Sequence, residues 1–167
     1  MTGGQGTSTP GQAPVVDLDD AARLVNNVRH KGGVIALANG AFDPLHVGHV
    51  RYLAGASVLA DFLVVAINSD TSVQRLKGEG RPAVPQAERA EIVASLRCVD
   101  AVVLFSEDTV AEVLERLRPE IHAKGTDYTP DTVPERDAVA AYGGRTVITG
   151  DPKDHHSSEF LNRFSGK

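Results

Sequence analysis

The sequence has very little cysteine and no excess of positive charge, and each shortage excludes a class of protein. Cys98 is its single cysteine, so the chain cannot build an internal disulfide framework or a cysteine-rich zinc site. Its 17 Lys and Arg against 22 Asp and Glu give a formal net charge of −5. That balance argues against a protein that holds duplex nucleic acid by neutralising phosphates. A small anionic ligand needs only a local cluster of cations.

The sequence also lacks long apolar runs. No stretch reaches the roughly 18 consecutive apolar residues that a membrane span requires. Residues 1–14 are rich in Gly, Ser, Thr and Pro, and they lack the charged and apolar regions of a secretion signal. We therefore predict a disordered tail over residues 1–14, a single domain over residues 15–167, and a cytoplasmic protein that contacts no membrane.

Short apolar runs alternate with helical patterns along the rest of the chain. The runs predict strands at residues 34–38, 62–68, 101–105, 121–125 and 145–149. Apolar residues at helical spacing predict helices near residues 17–33, 47–60, 85–97, 108–118, 134–144 and 157–164. Apolar strands that alternate with helices are typical of a parallel sheet covered on both faces. The sequence therefore predicts a doubly wound, Rossmann-like α/β domain with five parallel strands, and it predicts a polar loop over residues 69–84.

Polar and basic segments follow four of the predicted strands. These segments are residues 39–49, 68–82, 124–128 and 150–158. Because ligands of doubly wound sheets bind outside the carboxyl ends of the strands, near the point where strand order reverses, the segments should meet along one rim. We expect the ligand site on that rim.

Two histidines stand out in the first of these segments, GAFDPLHVGH (residues 40–49). His46 and His49 are three residues apart, so they share a face if a helix begins near His46. Gly48 between them lets a ligand approach the backbone. Free N–H groups and the partial positive charge of a helix amino end favour an anion. Two imidazoles placed there would donate hydrogen bonds to phosphate oxygens.

Two other uses of the histidine pair remain open from the residues alone. A zinc site would need further ligands from Asp43, Asp154, His155 or His156, and a helix amino end repels a cation. A purely structural pair would consist of one capping histidine and one packed histidine. Phosphate binding is the favoured interpretation, and we expect no metal ligand from the protein.

The same segment resembles the Gly-x-Phe-Asp-x-x-His-x-Gly-His signature of the cytidylyltransferase-like nucleotidyltransferases. Residues 64–93 and the AKGTDY segment (residues 123–128) resemble one branch of that family, the adenylyltransferase of bacterial ADP-heptose synthesis. The resemblance extends from about Asp17 to the final helix. It implies the fold of the HxGH nucleotidyltransferases and, by analogy with that branch, a homodimer. Many members of the branch are fused behind a sugar kinase, so this chain resembles a stand-alone form served by a separate heptose kinase.

The resemblance also implies a reaction. A sugar 1-phosphate, expected to be D-glycero-D-manno-heptose 1-phosphate, attacks the α-phosphorus of ATP, and the products are an ADP-sugar and pyrophosphate. Mg²⁺ would bridge phosphate oxygens. Two alternatives stay open: a cytidylyltransferase that acts on glycerol 3-phosphate or a similar alcohol phosphate, and a catalytically silent nucleotide-binding regulatory protein.

Site residues follow from the matched motifs. The expected catalytic residues are His46, His49 and Lys77. Nucleotide binding is expected from Asn39, Gly40, Ala41, Phe42, Gly48, Lys124, Ser157 and Ser158. The acceptor phosphate and sugar are expected to contact Arg81, Arg89 and Asp127. For the lysines and arginines the competing interpretation is solvated or paired surface charge, and for Asp127 it is a turn residue.

Three positions qualify the resemblance. Asp43 is expected to orient its loop through backbone hydrogen bonds without touching ligand. The family usually has a Ser-Thr-Thr type triplet before the last helix, whereas this chain has HHSSEF, so Glu159 replaces a hydroxyl. Pro44 replaces an aliphatic residue and stiffens the turn.

Overall fold

A six-stranded sheet, parallel throughout, forms the centre of the computed structural model, which describes residues 9–152 and 157–165. The strands are β1 (Val15–Val16), β2 (Ile35–Gly40), β3 (Phe62–Asn68), β4 (Ala101–Phe105), β5 (Ile121–Lys124) and β6 (Arg145–Ile148). The helices are α1 (Leu18–His30), α2 (Val47–Ser57), α3 (Asp70–Lys77), α4 (Gln86–Ala94), α5 (Ala111–Leu117), α6 (Arg136–Ala141) and α7 (Ser157–Phe164). The predicted doubly wound α/β architecture is confirmed.

The strand order β1-β4-β3-β2-β5-β6 places the reversal of the sheet beside β2. The chain runs from β2 to β3 and β4 on one side, and then returns to β5 and β6 on the other. Register pairs Leu37 with His122 on β5, and Asn39 with Ala66 on β3. The carboxyl ends of β2, β3 and β5 therefore lie side by side, where ligands of this fold bind.

Alternate side chains of each strand pack against helices on opposite faces of the sheet. One face packs against α2 and α4 through residues such as Leu53 and Val93. The other packs against α1, α5 and α6 through Val25, Leu114 and Val139. All five are at most 1% exposed, and burial of a side chain of this size stabilises the fold by about 1.5–3 kcal/mol. Burial on both faces explains why the strands are continuously apolar.

The sixth strand, β1, was not predicted. It has two residues, Val15 and Val16, which pair with Val102 and Val103 of β4, and two residues carry no periodic pattern. Residues 1–8 of the predicted tail lie outside the described residues. Near its predicted end the chain is already held, since the N–H of Ala13 donates to the carbonyl of Ala94 over 2.9 Å.

Helix α3 corrects the prediction of a polar loop over residues 69–84. Ser69 caps the helix by accepting a hydrogen bond from the N–H of Ser72 at 3.3 Å. Only Val73 supplies a buried apolar side chain, 1% exposed, while Leu76 is 55% exposed. One buried apolar residue in eight gives no helical periodicity. The capping residue Ser69 was the sequence signal that could have predicted the start of this helix. The helix ends at Lys77 and is followed by Gly78, whose φ of +92° suits glycine.

The last helix agrees with its prediction, since α7 begins at Ser157 and ends at Phe164. Ser158 and Glu159 are exposed, and His155 and His156 lie outside the described residues. Within residues 9–152 and 157–165, no helix has the length and apolar character needed to cross a bilayer.

Candidate active site

A cavity of about 520 Å³ opens at the carboxyl ends of the central strands. Of the residues predicted for the site, those that line it are Asn39, Gly40, Ala41, Phe42, His49, Lys77, Lys124 and Asp127. They come from β2, α2, α3, β5 and the loops that follow the strands, so residues up to 88 positions apart meet at one rim of the sheet, as predicted. His46, Gly48, Arg81 and Arg89 are outside this lining.

The histidine pair caps the amino end of α2. The Nδ1 atom of His46 accepts a hydrogen bond from the N–H of Gly48 at 3.1 Å, and the N–H of His46 donates to Nδ1 of His49 at 3.2 Å. The two rings stack with centroids 3.8 Å apart. Because both Nδ1 atoms accept, each neutral ring carries its hydrogen on Nε2. The backbone thus fixes two Nε2–H donors at a helix amino end.

His49 is electrically neutral at physiological pH. Burial lowers its pKa from 6.5 to about 3, and the charges of His46 and Lys77 act in the same direction while Asp127 opposes them. The edge of the Phe42 ring lies against it, with centroids 5.1 Å apart. A neutral imidazole still donates a hydrogen bond, and it does so without adding charge to the cavity.

Phe42 is held in an uncommon conformation beside Gly40. Its φ of +50° lies in the left-handed region, which costs a residue with a side chain of order 1 kcal/mol or more. A Cβ atom at position 40 would lie 3.3 Å from Cε2 of Phe42. Gly40 therefore gives the Phe42 ring room to form a wall of the cavity.

Two lysines supply the positive charge. Lys124 is 7% exposed, and its ammonium lies 4.5 Å from the centre of the Tyr128 ring. Burial lowers the pKa of Lys124, and burial together with Arg81 lowers the pKa of Lys77. Neither lysine forms an ion pair with the residues that the structure describes. Glu135 raises the pKa of Lys124 and Asp43 raises that of Lys77, but neither carboxylate lies at ion-pair distance from the lysine. A cation that faces a cavity without a contacting counter-ion can bind an anionic ligand.

Asp43 braces the loop that follows α3. Its carboxylate accepts hydrogen bonds from the N–H groups of Ala83 and Val84, both at 2.8 Å, and from Nε of Arg81 at 2.9 Å. Burial raises the pKa of Asp43, but these donors outweigh it and leave the pKa below its usual value. Asp43 thus orients the loop, as predicted. Two nitrogens of Arg81 donate hydrogen bonds to the carboxylate and the carbonyl of Asp43. Contact between Arg81 and the substrate stays a prediction.

Arg89 was predicted to bind the acceptor, and the structure gives it another use. Its side chain is 1% exposed. The guanidinium donates to the carbonyls of Ala41 and Asn68 at 2.7 and 2.8 Å and pairs with Asp70 at 2.8 Å. Its Nε donates to the carbonyl of Val84. All these acceptors are protein groups, so Arg89 holds the walls of the cavity together and does not face into it.

His122, which the sequence analysis missed, supports Asn39 from below. It is 0% exposed, and its Nε2 lies 2.9 Å from Oδ1 of Asn39. The hydroxyl of Tyr52 on α2 donates to the carbonyl of Ala123 at 2.6 Å and accepts from the N–H of Asn39 at 3.3 Å. A histidine inside an otherwise apolar strand was the signal that could have revealed this support.

The metal alternative finds no support among residues 9–152 and 157–165, where no group of three or more His, Cys, Asp or Glu is arranged to hold an ion. Asp154, His155 and His156 lie outside that part of the chain. Ser157 and Ser158 begin α7, and their contact with nucleotide stays a prediction, as does the role of Gly48.

The fold and the cavity define a class of protein: a Rossmann-type α/β protein with a cavity at the reversal of its strand order, lined by a histidine of a helix amino end and by two lysines. Within that class, the model of the cytidylyltransferase-like family matches residues 37–162. The chain belongs to that family and is a nucleotidyltransferase. The resemblance carried by residues 40–49 is thereby confirmed.

Individual relatives agree with this assignment. The bifunctional protein HldE of Geobacter metallireducens is 49% identical over 136 residues, which cover 81% of this chain and 28% of that protein. The protein of the same name from Syntrophotalea carbinolica is 53% identical over 134 residues, which cover 80% and 27%. The chain thus spans little more than a quarter of the length of these relatives.

A solved structure supports the fold. The crystal structure of the lipopolysaccharide core biosynthesis protein from Thermoplasma volcanium matches with a TM-score of 0.63 and 27% sequence identity. The match covers 73% of this chain and 100% of the other.

Removal of the Arg89 guanidinium should be strongly destabilising. In Arg89→Met the carbonyls of Ala41 and Asn68 lose their donor, and each buried acceptor left unsatisfied costs about 1–3 kcal/mol. The carboxylate of Asp70 is 41% exposed, so water can satisfy it. Urea denaturation measures the change. Arg23→Met is the control, because its ion pair with Asp20 is exposed and should contribute less than about 1 kcal/mol. Equal losses in both variants would contradict the bracing role.

Stability should fall as the pH is lowered from 6.5 towards 5. Burial lowers the pKa of both His49 and His122 from 6.5 to about 3. Between these values, the two histidines bind protons in the unfolded chain but not in the folded chain. Below pH 6.5, each histidine therefore lowers the free energy of unfolding by up to about 1.4 kcal/mol per pH unit. Above pH 6.5 the rings carry no added proton in either state, so the full stability is present. Urea denaturation at several pH values should show roughly half the slope in His122→Gln. An unchanged slope in that variant would show that His122 titrates normally.

Proposed function

We propose that the chain transfers an adenylyl group from ATP to D-glycero-D-manno-heptose 1-phosphate, giving ADP-heptose and pyrophosphate. The observation that carries the proposal is the pair His46 and His49, whose backbone contacts leave each neutral ring with its hydrogen on Nε2 at the amino end of α2, where His49 lines a cavity that also holds Lys77 and Lys124. Identity of about half to HldE proteins, and the resemblance of residues 64–93 to the ADP-heptose branch, favour adenylyl transfer to a heptose phosphate.

The chemistry is an in-line displacement at phosphorus. An oxygen of the sugar phosphate forms a bond to the α-phosphorus of ATP, the bond from that phosphorus to the bridging oxygen breaks, and its electrons leave with pyrophosphate. No covalent enzyme intermediate is needed. The protein contributes positioning and stabilisation of the charge that builds up on the phosphate oxygens.

Two kinds of donor divide that work in this proposal. His46 and His49 give directional hydrogen bonds to the transferring phosphate. Lys77 and Lys124 give full positive charges to the acceptor phosphate and the departing pyrophosphate. Asn39, Gly40, Ala41 and Phe42 border the nucleotide, together with Gly48 of the same motif. Ser157 and Ser158 contribute to nucleotide binding from the start of α7. Asp127 accepts from sugar hydroxyls.

Magnesium fits this arrangement as part of the substrate. Mg²⁺ usually keeps several waters and binds substrate phosphates with one or two carboxylates. Both oxygens of Asp43 are already occupied by protein donors, so Asp43 does not offer a ligand. The ion would enter with ATP, where it neutralises the phosphate oxygens.

The proposal predicts which substrate pairs release pyrophosphate. The purified chain is incubated with Mg²⁺, with ATP or CTP, and with heptose 1-phosphate, glycerol 3-phosphate or mannose 1-phosphate. Release should be fastest with ATP and heptose 1-phosphate. Release only with CTP and glycerol 3-phosphate would identify a cytidylyltransferase, and no release with any pair would identify a silent nucleotide-binding protein.

Loss of the His49 side chain should slow turnover far more than it weakens ATP binding. Its interaction with the transferring phosphate should strengthen in the transition state, and loss of one such donor costs about 100- to 1,000-fold in kcat. The dissociation constant for ATP should change by less than about threefold in His49→Ala. Val47→Ala, on the same turn and 43% exposed, is the control and should retain both. Equal losses in kcat and in ATP affinity would contradict this prediction and would show that His49 only binds ATP.

A further inference from the structure

Glu135 is a carboxylate in the cavity that the reaction has not yet used. It lies just before α6 and lines the cavity together with Lys124 and Tyr128. Its Oε2 atom is buried and has no hydrogen-bond donor among the residues that the structure describes. A buried acceptor without a donor costs about 1–3 kcal/mol. Such groups in folded proteins call for an explanation, and a ligand is one.

The neighbouring groups do not satisfy this carboxylate. The ammonium of Lys124 lies over the Tyr128 ring and forms no ion pair with the described part of the chain. Asp108, another carboxylate of the cavity wall, differs in this respect because Nε of Arg75 binds it at 3.0 Å. Glu135 is therefore a built-in acceptor that protein donors leave open.

A role for Glu135 in capping α6 does not account for it either. The residue occupies the cap position, but its side chain makes no capping hydrogen bond. The helix has six residues and is fixed to the sheet through Val139, which is 0% exposed. The carboxylate thus contributes no contact on which the helix depends.

We infer that Glu135 determines acceptor specificity by accepting hydrogen bonds from hydroxyl groups of the sugar. This inference rests on the proposed transfer to a sugar phosphate. A phosphate dianion has no donor for a carboxylate and is repelled by its charge. A hydroxyl is a donor, and its hydrogen bond to a charged acceptor is about twice as strong as one to a neutral acceptor. Glu135 therefore favours the hydroxyl-bearing part of the acceptor at its own position and disfavours the phosphate there.

The test compares two ligands that share a phosphate and differ in hydroxyl groups. Calorimetry measures the binding of heptose 1-phosphate and of methyl phosphate to the full chain and to Glu135→Gln. We expect the variant to bind heptose 1-phosphate about tenfold more weakly, and methyl phosphate within twofold of the original chain. Glu91→Gln, an exposed glutamate on α4, is the control and should change neither.

A second measurement separates recognition from structure. Because Oε2 has no hydrogen bond to lose, Glu135→Gln should melt at the same temperature as the original chain or slightly above it. Equal weakening of both ligands, unchanged binding of heptose 1-phosphate, or a lower melting temperature would each overturn the inference.

Failure of the proposed function has a different signature. Heptose 1-phosphate binding without pyrophosphate release from any nucleotide would contradict the proposed reaction, while the comparison of the two ligands would still decide the role of Glu135. If the original chain binds methyl phosphate but gains no affinity from the sugar, both proposals are wrong.

Discussion

The cavity depends on one buried cation, the guanidinium of Arg89. It joins the carbonyl of Ala41 after β2, the carbonyl of Asn68 at the end of β3, and the carboxylate of Asp70 at the start of α3. Burial of a charge is costly unless it is paired and hydrogen-bonded, and here three backbone carbonyls and one carboxylate meet that condition. The loop that carries the histidines and the helix that carries Lys77 are thereby fixed relative to one another.

Much of this arrangement was predictable because it is local or periodic. Continuous apolar runs identified the five longer strands, and the strand that precedes His46 placed the histidines at a helix amino end. The direction of Arg89 was not predictable, since whether a basic side chain points inward depends on carbonyls from three separate segments. Helix α3 was missed because a helix with a single buried apolar residue, Val73, has no periodic pattern. His122 was missed because its partner, Asn39, is 83 residues away.

The site separates charge from direction. Two imidazoles whose centroids are 3.8 Å apart cannot both carry a proton cheaply, and burial keeps His49 neutral in any case. The histidines are therefore suited to directional hydrogen bonding and the lysines to charge. In the proposed reaction, the uncharged donors would bind the transferring phosphate while the lysines supply the charge that two phosphate-bearing substrates require.

The two sides of the cavity differ in whether their buried polar groups have hydrogen-bond partners in the protein. Around Arg89 and Asp43, protein donors and acceptors match closely. On the side of α6, Oε2 of Glu135 is buried and has no partner within the described residues. Three further buried polar atoms lack a described partner, but their residues do not line the cavity: His122 Nδ1, Tyr142 OH and Thr146 Oγ1. Each such atom costs about 1–3 kcal/mol unless water or ligand satisfies it. The contacts around Arg89 and Asp43 thus hold one side of the cavity in place, whereas Glu135 on the α6 side keeps an open acceptor, which is the capacity that the proposed recognition of a hydroxyl-rich acceptor would use.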